Sequence, residues 1–87
     1  MAKDQSEIMQ QLTSRFIELA NTMKDEEVSP EMVSAALMSA SGFYATYVAA
    51  GNDGGLNASG VEKVAEAYKD NLHKIQQYKK DQAANQA

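Results

Sequence analysis

The sequence predicts an all-α protein: a three-helix bundle whose central helix is uncharged and which self-associates. Apolar residues recur every three or four positions in three segments of the 87-residue chain, which is the period of an amphipathic helix. Two breaks of acidic, Gly, Asn or Pro residues separate these segments, and no segment keeps the alternation of a half-buried strand. We therefore predict one helical domain over residues 1–81, with helices at about 5–24, 30–50 and 60–81.

The first predicted helix has a start signal and one apolar face. Asp4 is followed three residues later by Glu7, the spacing of a capping box that satisfies the free amides of a first helical turn. Its apolar residues form one stripe at helical period: Ile8, Leu12, Phe16, Leu19, Ala20 and Met23. The opposite face is polar, so this helix is expected to cover one side of a core.

The second predicted helix begins at Ser29-Pro30-Glu31, which supplies a capping hydroxyl, a proline at the first helical position and an acid in the first turn. No residue from Met32 to Gly51 carries a charge. Because both neighbouring helices are amphipathic, we expect this helix to be buried between them. Gly42 costs about 1 kcal/mol relative to Ala in a helix, which predicts a close crossing there.

The same uncharged segment has the length of a membrane span, about 20 residues. Four hydroxyl residues lower its hydrophobicity: Ser34, Ser39, Ser41 and Thr46. No lysine or arginine flanks it to mark a cytoplasmic side, and the run Asp25-Glu-Glu27 precedes it instead. We therefore expect protein, and no membrane, to cover the segment.

The third predicted helix follows a flexible loop over residues 51–60. Ser59 and Glu62 have the spacing of a capping box, and residues 82–87 form a polar tail expected to fray. The buried stripe is predicted to consist of Val61, Val64, Ala65, Tyr68, Leu72, Ile75 and Tyr78. The loop lacks both the ligand spacing of an EF-hand and the Gly-Lys-Ser/Thr of a phosphate-binding loop.

Charge and composition exclude several function classes. The chain has eight basic and twelve acidic residues, which gives a formal charge of −4. Because a nucleic-acid partner would require a basic stripe, we expect no such partner. The chain has no cysteine, which excludes disulfides, thiolate metal ligands and cysteine nucleophiles. The first seven residues are polar with no apolar run behind them, so we expect a cytoplasmic protein.

The single histidine is the best candidate for metal or acid–base chemistry. His73 follows Asp70 by three residues and Glu66 by seven, which resembles half of a carboxylate-bridged metal site. A second histidine motif is missing, and Leu72 and Ile75 take the core-facing positions. We therefore predict an exposed histidine, no metal and no cofactor. No sequence feature couples a serine to His73, so we predict that the protein is not an enzyme.

Large aromatic and Met side chains on the second helix are the candidate interface. Tyrosine suits a subunit contact because it combines a large apolar face with a hydroxyl that stays hydrated. A chain this short buries a thin core, which also favours a partner. We predict a homo-oligomer, a two-fold dimer, or else an unidentified protein partner, through Met38, Phe43, Tyr44, Tyr47 and Val48.

Two segments resemble a known family. Phe16-Ile-Glu-Leu-Ala-Asn21, followed after an acidic gap by Val33-Ser-Ala-Ala-Leu-Met38 and an aromatic-rich helix, is similar to the short bacterial proteins of domain of unknown function 3144, over residues 14–50. Members often carry Arg before the aromatic of the second helix, whereas here Ser41-Gly42 precedes Phe43. The resemblance implies a compact helical fold in bacteria and no assigned activity.

Three functions follow in order of preference. The first is a non-catalytic interaction or homo-oligomeric module. The second is a helical protein that binds a small molecule, a lipid or a metal, with a cavity beside Phe43 and Tyr47 or a polar cluster at His73. The third is an acidic inhibitor of a nucleic-acid enzyme, in which Asp25-Glu-Glu27 and Glu31 imitate phosphates, although acids before a helix also complement its dipole.

Overall fold

The structure is a computed structural model that describes residues 4–86. It contains three α-helices: α1 (Gln5–Lys24), α2 (Pro30–Ala50) and α3 (Ala58–Gln86). The residues described include no strand, so the all-α, three-helix prediction is confirmed. The chain divides inside α2 into two compact units, residues 1–43 and residues 44–87.

The first unit consists of α1, a short turn and the first part of α2. Asp4 caps α1, because its Oδ1 accepts a hydrogen bond from the backbone N–H of Glu7 at 2.8 Å. Ser29 caps α2 in the same way, its Oγ accepting from the N–H of Met32 at 3.2 Å. The turn between them places Glu27 in the left-handed region, with φ of 66°.

The second unit consists of the end of α2, a loop and α3. Gly51 ends α2 in the left-handed conformation, with φ of 77°, and its N–H donates to the carbonyl of Tyr47 at 2.8 Å. The cap of α3 is Asn57, whose Oδ1 accepts from the N–H of Gly60 at 2.8 Å. The predicted capping box at Ser59 and Glu62 is therefore wrong: α3 begins before Ser59, which lies in its first turn.

The polar residues after position 81 continue α3 as far as Gln86. Two side-chain hydrogen bonds link successive turns there: Gln77 Nε2 donates to Asp81 Oδ1 at 3.0 Å, and Gln82 Nε2 donates to the Tyr78 hydroxyl at 2.8 Å. The helix therefore runs further than the predicted end at 81. Residues 82–86 of the predicted frayed tail are helical, and residue 87 lies outside the described residues.

Burial departs most from the sequence prediction. Among residues 4–85, whose burial the structure describes, a single residue, Val33, is buried, at 8% exposure, and twenty large apolar side chains are more than a third exposed. The prediction that α2 is buried is therefore wrong for this chain by itself. The periodicity of apolar residues identifies which face of a helix is apolar, but it does not identify the molecule against which that face packs.

Replacing Asn57 with Ala is expected to lower the free energy of unfolding by about 1 kcal/mol, because the N–H of Gly60 loses its acceptor. Thermal unfolding followed by circular dichroism, at equal chain concentrations, measures this change. Ser59→Ala is the matched control and is expected to shift stability by no more than a few tenths of a kcal/mol. A larger loss for Ser59→Ala than for Asn57→Ala would contradict the observed cap.

Candidate functional site

The five predicted interface residues are all exposed on α2. Met38 and Phe43 belong to the first unit, with exposures of 60% and 80%. The other three belong to the second unit: Tyr44 is 69% exposed, Tyr47 49% and Val48 72%. Single exposed apolar residues are ordinary, whereas a large exposed apolar patch is typical of a contact site.

Tyr44, Tyr47 and Val48 form the part of this surface that lies in the second unit, and we name them the tyrosine patch. The rings of Tyr44 and Tyr47 meet edge to face, with centroids 6.0 Å apart and planes at 67°. Val48 lies four residues after Tyr44 and therefore on the same side of the helix. The patch thus offers two rigid aromatic rings and a branched aliphatic group to a partner.

From Met32 onward, the sequence of α2 on either side of the patch carries no formal charge. From Met32 to Gly51 the helix carries Ala, Ser, Gly, Thr and large apolar residues alone. A partner that covers this surface therefore buries no unpaired charge, which is the most costly event in forming an interface.

Several α1 residues that were predicted to lie in a core are exposed in the structure. Phe16 is 63% exposed and Leu19 is 54% exposed, although both belong to the predicted buried stripe. Met9, outside that stripe, is 62% exposed. The signal that would have identified them as surface is absent from the sequence, because an amphipathic stripe has the same pattern whether its own chain or another chain covers it.

Two depressions lie on α1, and neither includes Phe43 or Tyr47. One, of about 460 Å³, is lined by Gln10, Gln11, Ser14, Arg15 and Glu18. The other, of about 230 Å³, is lined by Leu12, Arg15, Phe16 and Leu19. Each is formed by a single helix, so no second element closes it around a ligand as a small-molecule site requires.

The residues considered for metal binding lie on the exposed surface of α3. His73, Asp70 and Glu66 are all exposed. Glu66 faces Lys69 at 4.0 Å, an ion pair of two solvated side chains that adds little stability. Between residues 4 and 86 no group of three His, Asp or Glu side chains has an arrangement that could hold a metal ion.

By length and composition α2 is also long and apolar enough to cross a membrane. It has 21 residues, its mean hydropathy is 1.2 over an 18-residue window, and 6% of that window is buried. Glu31 lies in the first turn of α2 and Asp53 follows its end, so the nearest charged residues on both sides are acidic. Basic flanking residues are what anchor a span at an anionic membrane surface.

Gly42 does not mark a close helix crossing in this chain. A methyl group added at Gly42 would meet no atom within 4 Å outside its own helix backbone and chain neighbours. The expectation of a close approach is therefore wrong for the isolated chain. Because Gly42 has no side chain, α2 is thinner at the residue before Phe43.

Comparison with known proteins assigns the chain to a family. A family model described as Protein of unknown function (DUF3144) matches residues 9–85, which include parts of all three helices. The chain belongs to this family. The resemblance seen over residues 14–50 is thereby confirmed and extended. Neither the curated proteins nor the solved structures provide a match. The family description names no activity.

Replacing Gly42 with Ala is expected to raise the free energy of unfolding by about 0.5–1 kcal/mol, because Ala favours the helix and meets no neighbour. Urea unfolding at equal chain concentration measures the change. Gly51→Ala is the control and is expected to destabilise, since Gly51 has a φ of 77°. A loss of stability in Gly42→Ala would show that another helix approaches this position closely.

Proposed function

We propose that this protein is a non-catalytic interaction module that works as a two-fold homodimer, with the exposed apolar side chains of α2 at the contact. The observation that carries the proposal is the exposure of Met38, Phe43, Tyr44, Tyr47 and Val48, between 49% and 80% each, on a helix with one buried residue. Water is a poor environment for such a surface, and covering it is favourable in proportion to the apolar area removed.

The area of this surface suits a small, specific contact. An aromatic side chain buries about 150–250 Å², so the five residues at their observed exposures offer about 600 Å² per chain. Two copies would then bury about 1,200 Å², the lower end of the range for specific protein interfaces. Further contacts from neighbouring residues would bring the interface to the usual size.

A second copy of the chain fits this surface better than a charged partner or a lipid bilayer. In a two-fold contact the same surface meets itself, and like charges would then oppose each other. The segment from Met32 to Gly51 avoids this, because the net charge of −4 is carried outside it. The acids that flank α2 favour a protein contact over an anionic membrane.

The same proposal rejects the function classes that the sequence disfavours. We propose no metal or cofactor, no nucleic-acid partner and a location in the cytoplasm of a bacterium. Supporting this are the acidic balance of the chain, its lack of cysteine and the solvated position of His73.

Replacing Val48 with Asp tests the proposed contact. Val48 is 72% exposed, so the variant is expected to keep its helices. In a two-fold dimer, however, it would place two carboxylates in an uncharged contact and weaken association at least tenfold. Sedimentation equilibrium from micromolar to hundreds of micromolar should give a mass that approaches twice 9.4 kDa for the natural chain and a dimer dissociation constant at least tenfold higher for the variant.

Ser14→Asp, on the polar side of α1, is the matched control and is expected to leave the dimer unchanged. Far-UV circular dichroism checks that both variants remain helical. A natural chain that sediments at 9.4 kDa at tens of micromolar would contradict the proposal. Association of the chain with neutral lipid vesicles, abolished in Val48→Asp, would replace the dimer with a membrane role for α2.

A further inference from the structure

The second half of α3 carries an apolar stripe that lies open to solvent. After residue 65 the large apolar side chains of this helix are Tyr68, Leu72, Ile75 and Tyr78, and the stripe includes all of them. Their spacings of four, three and three residues place them on one side of the helix. Each of them is between 41% and 58% exposed. We name these four residues the α3 stripe.

The second unit covers only the start of α3. Its part of α2, residues 44–50, is about 10 Å long, whereas the 29 residues of α3 extend over about 43 Å. Among residues 58–85 the half-buried ones are Gly60 and Val64, both near the start of α3, and every residue from 65 to 85 is exposed. The α3 stripe therefore has apolar surface left to bury.

The same half of α3 is basic, although the chain as a whole is acidic. Residues 69–80 carry four lysines and one acid, which gives a local charge of +3 in a chain of formal charge −4. One of these lysines, Lys69, forms an ion pair with Glu66 at 4.0 Å. The other three form no ion pair with any residue that the structure describes: Lys74, Lys79 and Lys80. The charge of this half of α3 thus complements a negatively charged partner.

Two of these lysines border the α3 stripe. Lys79 lies four residues after Ile75, and Lys74 lies four residues before Tyr78, so both are neighbours of the stripe on the helix surface. A lysine in such a position can bury its methylene groups beside apolar side chains and keep its ammonium group at their edge. The apolar stripe and the positive charge therefore belong to the same face of α3.

The acids of this half of α3 lie away from the stripe. Glu66 and Asp70 have no stripe residue three or four positions before or after them. Asp81 follows Tyr78 by three residues, but its Oδ1 accepts a hydrogen bond from Gln77 Nε2 at 3.0 Å, and Gln77 has no stripe neighbour at these spacings. A negatively charged surface that covers the stripe would therefore meet lysines and not carboxylates.

The polar residues beside the stripe favour a hydrated surface over a dry protein contact. Asn71 lies four residues before Ile75 and Lys79 lies four residues after it, so both accompany the stripe. A protein that packed closely here would have to supply an acceptor for each amide and ammonium hydrogen, or the contact would bury them unpaired. The headgroup region of a lipid bilayer contains water and phosphate oxygens, which can pair with both groups.

We propose that the second half of α3, residues 68–80, binds the surface of a bilayer that contains anionic lipids. The helix lies along the surface, its stripe enters the boundary between headgroups and acyl chains, and Lys74 and Lys79 contact lipid phosphates. Tyr68 and Tyr78, at the two ends of the stripe, keep their hydroxyl groups at the level of the headgroups. This contact requires no transmembrane span, and it uses a surface other than the proposed dimer contact on α2.

Flotation of the full chain with lipid vesicles measures this binding. Vesicles of phosphatidylcholine alone are compared with vesicles in which phosphatidylglycerol replaces about a third of the lipid. The chain is expected to bind the anionic vesicles at least tenfold more tightly, and about 0.5 M salt should weaken that binding, because salt screens charges at a surface. Equal binding to both kinds of vesicle, or binding to neither, would overturn the inference.

The double variant Lys74→Gln/Lys79→Gln removes the two lysines that border the stripe and is expected to weaken binding to anionic vesicles at least tenfold. Lys63→Gln/Lys80→Gln is the matched control, because it changes the net charge by the same amount at α3 positions without a stripe neighbour. The control is expected to lose less than about threefold. Far-UV circular dichroism checks that both variants remain helical. Equal losses in the two variants would show attraction by net charge alone and contradict the proposed face.

A further comparison separates this inference from the proposed dimer. Val48→Asp is expected to keep its binding to anionic vesicles within about threefold, because Val48 lies on α2. Loss of vesicle binding in Val48→Asp would place the lipid contact on α2 and overturn the inference. Absent vesicle binding, with a weaker dimer in Lys74→Gln/Lys79→Gln, would assign the stripe to a protein contact and overturn it as well. A natural chain that is monomeric and binds anionic vesicles would remove the proposed dimer and support this inference.

Discussion

The structure depends on one constraint: its helices carry apolar stripes that the chain described here leaves uncovered. Fully burying a Leu, Phe or Met side chain is worth about 1.5–3 kcal/mol, and the whole stability of a small domain is about 5–15 kcal/mol. Twenty large apolar residues are more than a third exposed. The free energy that burying their exposed surface would release is therefore comparable with the whole free energy of unfolding of a small domain. Under the proposed function, a second copy of the chain covers part of this apolar surface.

Local structure was largely predictable because short-range chemistry decides it. The cap at Asp4, the cap at Ser29 and the stop at Gly51 each depend on a side chain or a glycine within four residues of the bond it makes. The start of α3 could not be predicted in the same way. Asn57 and Ser59 both have side chains that can cap a helix, and the backbone geometry decides that Asn57 is the cap.

Burial was not predictable from the same pattern. The uncharged α2 was expected inside the fold, yet of its residues Val33 alone is buried. Tyr44 and Tyr47 were predicted as interface residues because aromatic side chains in a charge-free segment are typical of both cores and contacts. Their edge-to-face contact and their exposure came from the structure, since periodicity carries no information about a second molecule.

The dependence of the melting temperature on chain concentration tests the central claim most directly. If association covers the apolar stripes, each tenfold rise in concentration adds about 1.4 kcal/mol to the stability of the dimer, and the midpoint should rise by several degrees. A midpoint that stays constant from micromolar to hundreds of micromolar, with a cooperative transition, would show that the 9.4 kDa chain covers its own apolar residues, contrary to this account.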